Sequence, residues 1–195
     1  DHLSLSPIKM EAFYKLSQSI MNSDGFTAKR CGVWDEFFAK PEEEGEVLSQ
    51  LIPERLAKFL RRAFRRPVAP ELVARYAKRV LSQIEAGESF TQSMKDIAST
   101  ALCSPRFLYL YDRPTKSVRD DFNLASRLSF FLWGSIPDEE LLKLAEAQKL
   151  HNPEVLSAQV DRMLRDKRLK RFCDSFPAQW LQLELSLIHI SEPTR

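Results

Sequence analysis

Glycine is scarce in this chain, with 5 in 195 residues. Cysteine is scarcer: Cys31, Cys103 and Cys173 each stand alone. No Cys-x-x-Cys pair and no Cys-x-x-Cys-His run occurs, which excludes the usual sequence signatures of zinc sites, thiol redox centres and covalent haem attachment from this stretch. The histidines His2, His151 and His189 are scattered, and none has a partner at metal-ligand spacing. Neither a phosphate-cradling glycine loop nor a nucleophile–base pattern is present. No apolar run reaches the ~18 residues that span a bilayer. Charge of one sign is missing as well: 29 Lys and Arg against 27 Asp and Glu leave a formal net charge of +2. That balance gives no reason to expect nucleic acid as a partner. The chain opens Asp1-His2-Leu3, with no initiator Met and no signal-peptide pattern. It is expected to be an internal piece of a longer protein.

What is present points to helix. Hydrophobic residues make up 44% and charged residues 29%, and a glycine-poor chain rich in Leu, Ala, Arg and Glu favours helices. Ser6-Pro7 is a cap followed by proline at the first helical position, ahead of a stripe of Ala12, Phe13, Leu16 and Ile20. Residues 23–50 are irregular, with an aromatic knot at Val33-Trp34 and Phe37-Phe38 and an acidic run at Glu42-Glu43-Glu44. A strongly helical pattern opens at Pro53, with Leu56, Phe59, Leu60 and Ala63 inward and Arg55, Lys58, Arg61, Arg62, Arg65 and Arg66 opposite. Pro67 ends it. Val73, Tyr76, Ala77, Val80 and Ile84 make the next stripe, stopped at Gly87. Ser89 with Gln92 starts a third helix through Met94, Ile97 and Ala101. Phe107 to Tyr111 reads equally as a helical turn or as extended chain. Asp112 to Val118 reads as a linker.

The organising stretch is Asp120 to Leu150. Phe122, Leu124, Ala125, Leu128, Phe130, Phe131, Leu132 and Trp133 leave hardly any polar face, so a central helix is expected there. Gly134 stops it, and Ser135 with Asp138 caps a restart through Leu141, Leu144 and Ala145. Asn152-Pro153 opens another helix, and a last one carries Leu169, Phe172, Cys173, Phe176, Trp180 and Leu183, with Pro177 expected to kink or split it. Cys103 and Cys173 are expected as small buried hydrophobes. Cys31 lies in a polar loop, open to pairing outside the chain. No strand pattern stands out. The fold class is therefore all-α, an irregular bundle of about seven to nine helices. The expected divisions are 1–52 (an N-terminal helix and irregular linker, the tail of a preceding domain), 53–111, 119–185, and a tail of 186–195.

Leu60-Arg61-Arg62-Ala63-Phe64-Arg65-Arg66-Pro67-Val68, followed by Ser104-Pro105-Arg106-Phe107-Leu108-Tyr109, resembles the fifth of the Planctomycete-specific domains of unknown function. Leu124 to Asp138, with Arg162-Met163-Leu164 and Phe176-Pro177-Ala178-Gln179-Trp180-Leu181, resembles the fourth. Leu3-Ser4-Leu5-Ser6-Pro7 is more weakly similar to the tail of the third. The resemblance implies a large exported bacterial protein, periplasmic or at the cell surface, with c-type haem carried on neighbouring domains and none in this stretch. The implied partners are neighbouring domains of the same polypeptide. The tail, Ser186 to Arg195, resembles translated adapter or vector sequence.

Two functional classes stay open. One is a non-catalytic helical module that scaffolds or docks other domains. The other is the substrate-facing part of a haem-dependent oxidoreductase acting on carbohydrate or alcohol. No residue is assigned a catalytic role. Arg127 sits in an apolar helix, and a buried arginine needs a partner, with Asp120, Asp121 and Asp138 in reach by sequence. It is expected to be either an ion-pair member or a ligand anchor, grouped with Asp138, Trp133, Gln179 and Trp180. The basic run Arg61, Arg62, Arg65 and Arg66 is the candidate docking surface for an acidic partner; its alternative is a solvated face with stems covering apolar neighbours.

Overall fold

The computed structural model describes residues 6–41, 46–110 and 120–181. These are mostly helical, and no strand occurs among them. The chain forms two compact units, residues 1–110 and 111–195.

In the first unit, α1 (Pro7–Met21) leads into an irregular stretch closed by a wide helical turn, Trp34–Phe38. Then follow α2 (Glu46–Phe64), α3 (Pro70–Glu85), α4 (Phe90–Leu102) and the single turn α5 (Pro105–Leu108). The helix expected from Pro53 starts seven residues earlier, and Pro53 lies inside it. The reason is that Leu48 and Ile52 extend the stripe of Leu56 and Leu60 backwards at four-residue spacing, and Ile52, Leu56 and Leu60 are all fully buried. α2 packs on α3, and α4 is covered by α1 and α3. The aromatic knot joins this core: Phe37 stacks on Phe59 with ring centres 4.5 Å apart, and Phe38 meets Phe37 edge-on. Met21, Phe37 and Phe38, within the expected N-terminal helix and irregular linker of residues 1–52, share one core with α2–α4.

α1 is turned relative to its expected stripe. Met21 and Ser17 face inward, whereas Ile8, Phe13, Leu16 and Ile20 are exposed. Ser17 hydrogen-bonds the buried Cys103, whose thiol burial pushes above its ordinary value while that hydroxyl pulls it back. Gln18 donates to Tyr14 Oη at 2.9 Å on the same inner side.

The second unit contains α6 (Asp121–Trp133), α7 (Glu139–Glu146), α8 (Pro153–Leu164), a tight turn at Lys167–Leu169 and α9 (Lys170–Trp180). α6 touches α7, α8, α9 and the tight turn, as a central helix should. It is not apolar all round in effect, however. Ala125, Leu132 and Trp133 are buried with Ser126 and Ser129, Leu128 is half-buried, and Arg127 and Phe131 are exposed. On that inner side Leu141 and Ala145 of α7 complete the core. The ends are capped largely as the residues dictate. Asp120 accepts from the Phe122 and Asn123 N–H groups, and Asn152 from Glu154 and Val155. Gly134 ends α6 with φ +56°, a left-handed conformation that suits glycine. Pro177 leaves α9 one helix rather than two. Cys173, expected inside, is exposed, because α9 buries no side chain fully. The expected linker and the tail of residues 186–195 lie outside the described residues.

Candidate functional site

Most of the chemistry-bearing residues of the second unit gather around Trp133. Its side chain is fully buried, and its indole N–H donates to the Met163 carbonyl at 3.1 Å. α6 presents it at its last position, and the Gly134 turn brings the chain back past it. The Arg168 guanidinium lies over the ring, 3.4 Å from its centre, and Arg162 sits 5.5 Å away. Asp138 links these cations. One carboxylate oxygen accepts from the Leu141 N–H and caps α7, while both oxygens take the Arg162 fork at 2.7 and 3.2 Å. Arg168 is 3.7 Å from Asp138 and closer, 2.7 Å, to Asp166. Gln159 donates to Glu140 at 2.8 Å and accepts from Arg162 Nε at 2.8 Å. Arg171 donates to the Trp133 and Gly134 carbonyls.

Electrostatics follow the geometry. Burial pushes the Asp138 carboxyl up, but the hydrogen bonds from Arg162 and Leu141 and the charges of Arg162 and Arg168 outweigh it, leaving it below the ordinary range. The Arg168 hydrogen bonds hold Asp166 far below that range. Arg168 is raised in turn, chiefly by Asp166. Asp138, Asp166 and Arg168 therefore stay charged at neutral pH. Their fork geometries are spent on one another, so the arrangement is an ion-pair network that clamps an indole.

A second grouping pairs Asp121 with His151. Asp121 is buried at the start of α6; one oxygen accepts from the Leu150 N–H at 2.7 Å and the other meets His151 Nδ1. A carboxylate orienting an imidazole suits proton transfer or metal ligation, but among the described residues no group of three or more His, Cys, Asp or Glu side chains is placed to hold a metal.

The expected site residues separate. Trp133 and Asp138 come together, but the arginine that forks onto Asp138 is Arg162. Arg127 is exposed, because it falls on the outer side of α6. Gln179 and Trp180 are exposed on α9, with Trp180 at 72%. Trp180 ends an aromatic ladder: it stacks on Phe176 at 6.0 Å, Phe176 stacks on Phe172 at 4.8 Å, and Phe131 meets both Phe rings edge-on. Phe131, Phe176, Trp180 and Leu181 all face solvent in part.

The expected docking surface also divides. Arg65 is buried, with φ +60°, and donates to the carbonyls of Ala63, Arg106, Phe107 and Tyr109, the last at 2.6 Å. It is an internal clasp between α2 and α5, since the Arg66 N–H closes onto the Arg61 carbonyl and turns Arg65 inward. Arg61 and Arg66 are half-buried, and Arg62 is exposed. Arg55, on the same basic run, donates to the Phe37 and Ala39 carbonyls at 3.2 and 2.7 Å, and its burial pulls its pKa down.

Sequence reasoning missed Arg162, Arg168, Asp166 and the Asp121–His151 pair. The one local signal was Asp166-x-Arg168, an N-cap carboxylate two residues before its cation. The other partners lie 24 to 30 positions apart.

Residues 52–112 match the family model described as PSD5, a protein of unknown function (DUF1595), and residues 120–193 match PSD4, a protein of unknown function (DUF1592). The chain thus carries two adjoining stretches similar to domains of unknown function, the fifth of that set before the fourth. No curated protein and no solved structure matches the chain.

Proposed function

We propose that this chain is a non-catalytic helical module that docks neighbouring domains of a larger exported polypeptide. The observation that carries this reading is where exposed apolar surface lies. Among the described residues it concentrates on α1 and α9: Ile8, Phe13, Leu16 and Ile20 on α1, and Phe176, Trp180 and Leu181 at α9 beside Phe131 of α6. Contiguous exposed apolar surface marks interaction sites, and stacked aromatic rings supply large contact area at low entropic cost. The charged groups support the same reading, since Asp138, Arg162, Arg168 and Arg65 are committed to holding helix ends together. Any haem belongs, in this reading, to a neighbouring domain.

The test uses the longer polypeptide. Leu16→Ser and Trp180→Ser should leave the melting temperature of the 195-residue chain within a degree or so, because exposed positions contribute roughly half a kcal/mol or less. In the longer protein they should speed proteolytic separation of the domains. Unchanged proteolysis with both substitutions would refute docking through these faces.

A further inference from the structure

The first unit carries a groove unrelated to the faces invoked above. It lies between α3 and α4, holds about 400 Å³, and is lined by Arg75, Tyr76, Lys78, Arg79, Ile97 and Thr100. Three cations and no carboxylate are in that lining. Arg75, Lys78 and Arg79 stand at i, i+3 and i+4, a spacing that places side chains on one side of a helix about 5–6 Å apart. All three are exposed. The ion pairs Lys15–Glu11 and Lys58–Glu54 of this unit leave them out, and no carboxylate among the described residues pairs with any of the three. The nearest candidate on α4, Asp96, is engaged by the amides of Gln83 and Gln92 at 3.4 and 3.0 Å. Glu71 stands one turn before Arg75 without bonding it.

The floor differs in character from the rim. Ile97 is 1% exposed and Tyr76 is half-buried, so the base is apolar. The Tyr76 hydroxyl hydrogen-bonds Ser104, and the Thr100 hydroxyl donates to the Asp96 carbonyl. Such a recess, apolar beneath and set with a few convergent charges, has the form and size of a small-molecule site. Paired guanidinium forks match the oxygens of phosphate and carboxylate groups.

We propose that this groove binds a small molecule carrying an oxyanion on a compact ring. The oxyanion sits between Arg75, Lys78 and Arg79, and the ring rests on Tyr76 and Ile97.

Titration calorimetry on the 195-residue chain at low salt, with phenyl phosphate and inorganic phosphate as probes, tests this. Phenyl phosphate should bind, and more tightly than inorganic phosphate. Arg75→Gln with Arg79→Gln should weaken it by about tenfold or more, the worth of a single charge-assisted hydrogen bond. Arg62→Gln, which removes an exposed cation from α2, should leave it unchanged. Amide shifts at Thr100 and Tyr76 on adding phenyl phosphate locate the site independently of any variant. Three results would overturn the proposal: equal weakening by Arg62→Gln, shifts that avoid the groove, or binding of an oligoglutamate peptide without binding of phenyl phosphate.

Discussion

The Arg168 guanidinium lies over the Trp133 ring at 3.4 Å from its centre, and Asp166 and Asp138 hold it there. The guanidinium thereby forms part of the cover over Trp133, whose side chain is fully buried. Arg168→Ala should cost about 1–2 kcal/mol, the range of a partly desolvated cation–π contact plus its ion pair. Arg168→Lys should recover less than half, since an ammonium cannot lie flat on the ring. Trp133→Ala should cost roughly 3–5 kcal/mol. Urea unfolding measures all three, and a neutral Arg168→Ala would show that the clamp contributes nothing.

Asp138 sets an acid limit on the second unit. Its carboxyl titrates below the ordinary value of 3.8 in the folded chain. A depressed folded value means that the unfolded chain binds the proton first. The stabilisation is complete above the ordinary carboxylate range and is lost as pH falls through it towards the folded value. Asp138→Asn keeps a capping oxygen but removes the charge. The variant should be less stable at pH 7 by about 1–3 kcal/mol, with a shallower loss below about pH 4. Parallel acid limbs in variant and parent would contradict this.

Arg65 does two things that separate experimentally. It holds a left-handed conformation at φ +60°, and its guanidinium meets four carbonyls. Arg65→Ala keeps the backbone cost and loses the clasp, so it should destabilise by about 3 kcal/mol. Arg65→Gly loses the clasp but relieves the backbone, and should be about 1 kcal/mol less damaging. Equal losses in thermal unfolding would mean that the backbone carries no strain there.

These arginines show what the sequence makes legible. Caps are local, so Ser6, Ser89, Asn152 and Gly134 were readable from their neighbours alone, while at the restart after Gly134 the cap is Asp138 and not Ser135. The all-helical class and the stripe of Leu56 and Leu60 followed from periodicity. Rotation about a helix axis was not readable where every side is apolar. α6 offers apolar residues all round, and packing, not pattern, decided that Trp133 goes in while Arg127 and Phe131 go out. On α1, packing likewise overrode the pattern, burying Ser17 and Met21 and leaving Leu16 and Ile20 outward. Arg65 looked like its exposed neighbour Arg62, because nothing in a basic run marks the residue at which the chain reverses.

The Ser93 hydroxyl is buried, and no partner meets it. A hydroxyl removed from water without a hydrogen bond is a net cost. Ser93→Ala should therefore leave stability unchanged or raise it by up to about 1 kcal/mol. A loss beyond that range in denaturant unfolding would reveal a bonded role for the hydroxyl.

Hydroxyl-radical footprinting reads the exposed apolar faces residue by residue, and it tests the docking account most directly. The comparison is between the 195-residue chain and the longer polypeptide. In the chain alone, Leu16, Ile20, Phe176 and Trp180 should oxidise readily. In the longer polypeptide their oxidation should fall several-fold, while Leu164, exposed on α8 and not among the residues proposed to dock, should be unaffected. Equal oxidation of Leu16, Ile20, Phe176 and Trp180 in both forms would contradict the account, because surfaces that dock other domains cannot remain open to solvent in the assembled protein.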